Sequence, residues 1–333
     1  MFYSIIIPLY NRPNEIKELL ESLSEQTYTN FEVIVVEDGS LISSQEIVDR
    51  YSNSFALDYF QKENSGPGLT RNYGAEQAKG EYFLFFDSDC IIPSTYLELV
   101  NESLKNNYLD SFGGPDKSHP SFTDVQKAIN YSKTSIFTTG GIRGNKKHLG
   151  IFHPRSFNMG ISRIAFESLD GFSSLRFGED IDFSTRIINK GYKTGLIVEA
   201  FVYHKRRTNF TRFFRQVFNS GIARINLYKR HPSSLQFVHF FPAAFTFGLF
   251  SAIVLSFVLP KYGLGLLGLF VFYFIAIAID AAFQNHSLRI GILAISAGII
   301  QLTGYGSGFI RAYFKRVVFR KGEFSAFTKN FYK

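Results

Sequence analysis

The sequence has 333 residues, a net charge of +8, 17% aromatic residues and a single cysteine, Cys90. This length suffices for one large domain or two ordinary ones. One cysteine excludes an intramolecular disulfide and fits a reducing compartment. The first residues, MFYSIIIPLYNR, have no basic region before a short apolar run, which predicts a first strand rather than a signal peptide.

Strand-like and helix-like patterns alternate over the first 90 residues. The predicted elements are strands at 3–10, 31–38, 55–60 and 81–86, and helical stretches at 13–26, 43–53 and 66–80. This order predicts an α/β fold, a doubly wound sheet with helices on both faces. Ligands of such sheets bind beyond the carboxyl ends of the strands, so the polar residues there are the first candidates for a site.

Two acids follow the strand in EYFLFFDSDC, namely Asp87 and Asp89 on either side of Ser88. Alternate residues of an extended chain can direct two carboxylates into one site. Carboxylates without a nearby histidine suit Mg²⁺ or Mn²⁺ bridging a diphosphate. The alternative is an acidic turn that caps the next helix near Pro93 or Ser94, and the pair taken alone favours that alternative.

A third acid, Asp38, ends the strand in VIVVEDGS. Its carboxylate could accept hydrogen bonds from a nucleotide base or ribose, with Gly39-Ser40 forming a tight turn. It could equally form a turn and cap the following helix. The residues alone leave both interpretations open.

The middle of the chain gives weaker patterns. SFGGP at 111–115 predicts a strand and turn, and the Gly- and Lys-rich stretch 138–150 predicts a flexible loop. Order returns over 156–172, and GEDIDFSTRIINKGYKTG at 178–195 predicts a helix that opens with acids and closes at Gly191. Acids at a helix start suit the helix dipole, yet a positioned carboxylate there could also act as a general base.

The composition changes near residue 235. Three apolar segments, at 235–259, 262–283 and 288–310, are each long enough to cross about 30 Å of hydrocarbon. We therefore predict a soluble domain over 1–230 and a membrane module over 231–333. Between Pro232 and Ile310 the charged residues are Lys261, Asp280 and Arg289.

Both flanks of the membrane module are basic, which favours a membrane over nucleic acid as the partner of this charge. Residues 200–231 carry Lys205, Arg206, Arg207, Arg212, Arg215, Arg224, Lys229 and Arg230 with no acid, and the tail 311–333 has Glu323 as its one acid. Two cytoplasmic flanks require an even number of crossings. Three segments conflict with that number, so we predict two full spans and one partial segment.

Several motifs, SIIIPLYNR, EVIVVEDGS and GPGLTRNYGAEQAKGEYFLFFDSD, occur in order and together resemble the family-2 glycosyltransferases, which have the nucleotide-sugar-binding GT-A fold. The resemblance covers roughly residues 2–206. It implies a nucleotide-sugar donor held by Pro8, Tyr10, Asn11, Arg12, Glu37, Asp38, Arg71, Asn72, Asp87 and Ser88. It implies Mg²⁺ or Mn²⁺ at Asp87 and Asp89, with His204 either a further ligand or a structural residue.

The same resemblance makes Asp180 the catalytic base and Glu179 its orienting or acceptor-binding neighbour, and it places Asn158, Met159 and Gly160 near the donor sugar. Arg215 is predicted either to reach the diphosphate or to lie on anionic lipid. Processive members of the family carry a Q-x-x-R-W element, and this sequence has no tryptophan. The prediction is therefore transfer of a single sugar.

The resulting prediction is a metal-dependent, inverting glycosyltransferase of the cytoplasmic membrane, multi-pass and with its catalytic domain facing the cytoplasm. Its donor is a nucleotide-sugar, with UDP-sugars favoured, and its acceptor is a hydroxyl of a lipid-linked saccharide used in cell-surface glycan synthesis. Alternatives are a polyprenyl-phosphate glycosyltransferase, a non-catalytic nucleotide- or glycan-binding membrane partner, and a hydrolase with paired carboxylates. No nucleic-acid partner is expected.

Overall fold

The computed structural model describes residues 1–140 and 152–327. They form two compact units, which we call the sheet unit, residues 1–119 and 152–205, and the helical unit, residues 120–140 and 206–327. The boundaries between the two units follow residues 119 and 205. The division into a soluble domain over 1–230 and a membrane module over 231–333 remains a prediction.

The described strands all lie in the sheet unit. They are β1 Tyr3–Leu9, β2 Phe31–Asp38, β3 Ala56–Lys62, β4 Tyr82–Phe86, β5 Cys90–Ile91, β6 Ser111–Gly113, β7 Asp116–Lys117, β8 Asn158–Ser162, β9 Thr194–Leu196 and β10 Val202–His204. The main sheet has seven strands in the order β3-β2-β1-β4-β8-β6-β9, and a small sheet has the order β5-β10-β7.

The helices divide between the units. Those of the sheet unit are α1 Pro13–Ser24, α2 Gln45–Asp49, α3 Pro67–Gln77, α4 Tyr96–Asn106, α7 Arg163–Glu167 and α8 Glu179–Asn189. Those of the helical unit are α5 Asp124–Thr134, α6 Ile136–Thr139, α9 Phe210–Arg230, α10 Phe241–Val258, α11 Pro260–Asn285 and α12 Leu288–Ala312.

Strands β1 to β4 pair in parallel, and β8 runs antiparallel to both β4 and β6. Successive residues of a strand face opposite sides of its sheet. Ile5 and Ile7 of β1 accordingly enter one hydrophobic cluster, while Ile6 enters the cluster on the other face. Both faces are covered, so the predicted GT-A-type mixed sheet with helices on both faces is confirmed.

The structure differs from the predicted elements in two places. The helix predicted over 43–53 is only α2, Gln45–Asp49, because the chain forms turns from residue 50 onward. The helix predicted to close at Gly191 is confirmed, because α8 ends at Asn189 and Gly191, with a φ of +86°, turns the chain toward β9. The predicted loop at 138–150 lies mostly outside the described residues, and its first two residues end α6.

Three helices of the described chain are long and apolar enough to cross a membrane by length and composition. They are Phe237–Val258, Pro260–Asn285 and Leu288–Val318, the last including a π-helical turn after α12. They coincide with the three apolar segments of the sequence. The protein therefore carries candidate membrane-spanning helices at its C-terminal end.

Candidate active site

The parallel strands bring several predicted residues to one edge of the main sheet. Because β2 and β4 both pair in parallel with β1, the carboxyl ends of the three strands lie at one edge. Asp38 ends β2 there, and Arg12 and Asp87 follow β1 and β4. The pairing of β10 with β5 is antiparallel and sets His204 opposite Cys90, next to Asp89. The local fold thus collects acidic and basic groups from distant parts of the sequence.

His204 lies among the acids that follow β4. Its Nε2 atom is 3.2 Å from Oδ1 of Asp89 and 3.9 Å from Oδ2 of Asp87. The ring also packs against Phe157, with 4.8 Å between ring centroids. The structure therefore brings together the three residues that the sequence predicted for a metal ion, and their role as ligands remains a prediction.

Arg71 connects the two acidic motifs of the sequence. Its side chain is 2% exposed, and it donates to Oδ1 of Asp87 at 2.6 Å and to Oε1 of Glu179 at 3.2 Å. The guanidinium also lies 5.4 Å from the centroid of the Phe172 ring. A planar fork with several donors can hold two carboxylates at once, which a lysine could not do in the same geometry.

Two further arginines accompany the remaining acids. Arg12 forms an ion pair with Asp89, and Arg155 donates to Oδ2 of Asp180 at 3.1 Å. Each of the acids named for chemistry is thus in contact with a cationic side chain. Such pairing offsets the cost of holding several carboxylates in a partly buried site.

The neighbours Glu179 and Asp180 have pKa values shifted in opposite directions. Burial, helped by the charge of Asp180, raises the pKa of Glu179 to about 7, although Arg71 opposes the shift. Burial would also raise the pKa of Asp180, but Arg155, the backbone N–H of Ile181 and Arg71 outweigh it, so that pKa is lowered. At neutral pH Asp180 is therefore ionised, whereas the raised pKa of Glu179 lies close to neutrality.

The donor atoms near β5 fit a hard divalent cation. Asp89, Cys90 and His204 offer ligand atoms within 4.8 Å of one another. Burial raises the pKa of Cys90 well above its ordinary value, and its Sγ donates to the carbonyl of Phe157, so this thiol is a poor ligand. The carboxylates and one imidazole remain, a set that suits Mg²⁺ or Mn²⁺.

The acids at the end of β2 are held by the fold itself. Oδ1 of Asp38 accepts from Lys62 Nζ at 2.9 Å and from the N–H of Ser65 at 2.8 Å. Glu37 is buried and accepts from the N–H of Ser44 at 3.1 Å and from the hydroxyl of Tyr59. These contacts give both acids a structural role, and their predicted contact with a base or ribose remains a prediction.

Asn11 and Asn72, predicted for the donor site, fix turns. Asn11 has a φ of +51°, and its Oδ1 accepts from the N–H of Leu41 at 2.7 Å. Asn72 donates to and accepts from the backbone of Phe172, at 2.8 Å in each case. Both amides therefore fix the local backbone, and their contact with a donor remains a prediction.

The other predicted donor-site residues lie in different surroundings. Pro8 lies on β1 and Tyr10 directly follows that strand, and both residues are half-buried. Ser88, between Asp87 and Asp89 in the sequence, is buried. Arg215 belongs to α9 of the helical unit, where its guanidinium lies 5.6 Å from the ring centroid of Phe327. Contact of these residues with a donor remains a prediction.

Two residues of the site were missed in the sequence. Arg155 comes from a stretch without a recognisable pattern, and only the fold sets it beside Asp180. Asp116 lies with Oδ2 4.0 Å from Nδ1 of His204, because β7 pairs with β10. An acid directly after the predicted turn at 111–115 was the available signal for Asp116.

Comparison with known proteins identifies the family. Residues 4–169 match the family described as Glycosyl transferase family 2. An uncharacterized glycosyltransferase of Haemophilus influenzae is 30% identical over 219 residues, which cover 62% of this chain and 70% of that protein. The chain belongs to glycosyltransferase family 2.

Other relatives match over shorter stretches. The poly(ribitol-phosphate) β-N-acetylglucosaminyltransferase TarS of Staphylococcus aureus is 45% identical over 93 residues, or 27% of this chain and 16% of TarS. This chain likewise spans only 17–22% of the length of three further curated relatives.

A solved structure shares the fold over most of the chain. It is the mannosyltransferase PcManGT from Pyrobaculum calidifontis, in complex with GDP-Man and Mn²⁺, with a TM-score of 0.63 and 18% identity. The likeness covers 90% of this chain and 86% of PcManGT. It supports the GT-A fold assigned above from the strand order.

Proposed function

We propose that the protein is a metal-dependent, inverting glycosyltransferase. It transfers a single sugar from a nucleotide-sugar to a hydroxyl of a membrane-held, lipid-linked saccharide. The observation that carries the proposal is the bridge formed by Arg71, which holds Asp87 and Glu179 on one guanidinium. The bridge makes the acids suited to a metal–diphosphate and the acids suited to base catalysis parts of one site.

The donor side would be formed by Asp87, Asp89 and His204 with Mg²⁺ or Mn²⁺. When bound, the ion offsets negative charge on the departing nucleoside diphosphate. Arg12 and Arg71 add fixed positive charge beside the same carboxylates. This charge distribution suits a leaving group that gains charge as the glycosidic bond breaks.

Asp180 is the proposed general base. Its lowered pKa keeps it ionised at neutral pH, and its side chain is 18% exposed against 11% for Glu179. It takes the proton of the acceptor hydroxyl as that oxygen attacks the anomeric carbon. Glu179, in contact with Arg71, positions the start of α8. One displacement inverts the anomeric carbon, so an α-linked donor gives a β-linked product.

The acceptor proposal depends on the chemistry of the base and on the apolar helices. A sugar hydroxyl needs a base, whereas a polyprenyl phosphate is already ionised near neutral pH. The pair of Glu179 and Asp180 therefore favours a lipid-linked saccharide over a polyprenyl phosphate. The candidate membrane helices and their basic flanks support a location at the cytoplasmic membrane, with the catalytic domain over 1–230 facing the cytoplasm.

A donor screen tests the proposal. Detergent-solubilised protein with Mn²⁺ or Mg²⁺ is incubated with single nucleotide-sugars, with and without a lipid extract, and nucleoside diphosphate release is measured. UDP-N-acetylglucosamine comes first because of the sugar named for TarS, and GDP-mannose follows because of the donor named for PcManGT.

Release from one donor that depends on lipid and metal is the expected result, and Asp89→Ala should abolish it. Asp58→Asn, a change at a half-exposed acid on β3, is the matched control and should keep full release. Release by Asp89→Ala at the wild-type rate would contradict the proposed metal site. Donor binding without release, even with chemically defined acceptors, would favour a non-catalytic binding protein.

A further inference from the structure

The helical unit raises a question of membrane topology. It contains three helices that could each cross a bilayer, yet the segments before α10 and after α12 are both basic. Basic segments favour the cytoplasmic side, so an even number of crossings is expected. The packing of α12 against its neighbours shows which helix differs from the other two.

Helices α10 and α11 form a hairpin with an exposed apolar tip. Near the tip, Phe257 is 82% exposed and Leu264 is 61% exposed, and farther down Phe272 is 73% exposed. The two helices touch each other closely at Gly263, where a Cβ atom would overlap the backbone of Ser256. Over Phe241–Val258, α10 is about 27 Å long at 1.5 Å per residue, close to the thickness of a hydrocarbon core.

Helix α12 crosses the base of this hairpin. A Cβ atom on Gly306 would overlap the carbonyl group of Pro242, at the start of α10. A Cβ atom on Gly291 would lie 2.5 Å from the carbonyl oxygen of Ala278, in the last third of α11. The two glycines are about 22 Å apart along α12. Both contact the hairpin at its base, so α12 does not run alongside the hairpin toward the tip.

The other side of α12 is covered by α5 and α9. A Cβ atom on Gly308 would overlap the carbonyl oxygen of Phe218 in α9, and Arg289 pairs with Asp124 of α5 at 3.2 Å. Beyond α12, Arg316 donates to Asn226 of α9 at 3.1 Å. Accordingly, 39% of the apolar 18-residue stretch of this helix is buried, against 6% and 11% of the corresponding stretches of the other two helices.

The helices that cover α12 carry many charged groups. They are Asp124, Lys127 and Lys133 on α5, and Arg212, Arg215, Arg224, Lys229 and Arg230 on α9. A spanning α12 would carry part of this set into hydrocarbon. One cation at the centre of a bilayer costs about 2.5–3.5 kcal/mol on insertion scales, so several would outweigh the gain from inserting α12.

We propose that α12 lies in the plane of the membrane surface and that α10 and α11 alone cross the bilayer, as a hairpin. The exposed surface of α12 contacts the interfacial layer of one leaflet. It is the leaflet on the face of the membrane where both basic segments lie. With two crossings, the segments before α10 and after α12 lie on the same face. The α10–α11 turn near Lys261 lies on the opposite face.

Cysteine labelling in membrane vesicles of both orientations tests this topology. Cys90 is 1% exposed, so the wild-type protein should give almost no reaction with a membrane-impermeant maleimide. Three variants add one accessible thiol each: Lys261→Cys at the hairpin turn, Arg289→Cys at the start of α12 and Lys321→Cys after its end. The ion pair lost with Arg289 is at an 82% exposed side chain and contributes little to stability.

The pattern of labelled faces decides between topologies. We expect residues 289 and 321 to react from one face and residue 261 from the other. Reaction of residues 261 and 321 from the same face, opposite residue 289, would mean that α12 spans and would overturn the proposal. Reaction of all three from one face would mean that the hairpin does not cross, which would also overturn it.

The depth of α12 in the membrane can also be measured by tryptophan fluorescence, because the sequence contains no tryptophan and an introduced one is the single such fluorophore. Ile292→Trp and Ile299→Trp place one fluorophore near the start and one near the middle of α12, and brominated phospholipids quench each according to depth. An in-plane helix gives both positions the same shallow quenching profile. Deep quenching at residue 299 with shallow quenching at residue 292 would contradict the proposal even if a cysteine variant failed to fold.

Discussion

The sheet edge and the base of the hairpin both join residues that are far apart in the sequence, but different forces join them. At the sheet edge the contacts are between charges, as where Arg71 holds Asp87 and Glu179. At the hairpin base the contacts are between backbones, as where Gly306 of α12 meets the carbonyl group of Pro242 in α10. Charge should therefore govern the first region, and side-chain volume the second.

This contrast follows from the surroundings of each region. In the proposed function the sheet edge accepts a charged ligand, and its carboxylates are held by the arginine side chains of Arg12, Arg71 and Arg155. The helical unit has few charged side chains between Pro232 and Ile310, and packing there depends on close approach of helices. A substitution that removes a charge should therefore affect the sheet edge, and a substitution that adds volume should affect the helical unit.

The largest effect is expected from Asp180→Asn. Loss of the proposed base should lower turnover by about 10²–10⁴-fold while leaving the fold intact. Asp182→Asn, on the same helix, is the matched control, because Asp182 pairs with Arg186 at 3.1 Å. Turnover of nucleoside diphosphate release is measured for both, normalised to folded protein. Near-normal turnover in Asp180→Asn would remove that residue from the mechanism.

The next effect concerns side-chain volume in the helical unit, at the contact between α12 and α9. Gly308→Ala should destabilise the protein by about 1–3 kcal/mol, because the added methyl group overlaps the carbonyl oxygen of Phe218. Gly265→Ala is the control, since nothing lies within 4 Å of a Cβ atom there. Thermal unfolding in detergent compares the two variants. Equal melting temperatures would show that α9 and α12 are not closely packed at residue 308.

The pH dependence of stability separates the two neighbouring acids. The pKa of Glu179 is raised from its ordinary 4.5 to about 7, so its contribution is fully present below the ordinary value and is lost as pH rises through 7. Wild type should therefore lose stability relative to Glu179→Gln between about pH 5 and 7, by at most about 1.4 kcal/mol per pH unit.

Asp180 supplies the control for that measurement. Its pKa is lowered, so its contribution is present above the ordinary value and is lost only as pH falls through the lowered one. Between about pH 5 and 7 Asp180 itself therefore contributes no pH dependence, and Asp180→Asn should only reduce the wild-type slope, because it removes a charge that helps raise the pKa of Glu179. Melting temperatures over this range check both variants, and parallel curves for wild type and Glu179→Gln would refute the raised pKa.

The smallest effect is expected at Asp280, a charged residue within the apolar helix α11. Tyr131 of α5 donates to Oδ2 of Asp280 in α11 at 2.5 Å, and Gln284 donates to the same oxygen at 2.9 Å. Because Gln284 remains, Tyr131→Phe should cost only about 1 kcal/mol. Tyr262→Phe, at a 67% exposed position of α11, should cost nothing measurable in the same unfolding assay.

Prediction from sequence succeeded where the signal was local. The apolar runs of β1, β2 and β4 and the acids after them follow from strand periodicity, and the three apolar helices follow from length and hydropathy. It was less successful at 43–53, where turns replace part of the predicted helix. It also missed β7 and α5, whose local sequence patterns are weak.

By itself, the sequence determined the family, the positions of β1 to β4 along the chain and the residue types available for chemistry, because these depend on neighbours along the chain. The tertiary structure alone decided which charges meet, since Arg71 and Glu179 are 108 residues apart and Arg155 carries no motif. It also distinguished α12 from the other apolar helices. Hydropathy measures how apolar a helix is, whereas its orientation depends on what packs against each of its sides.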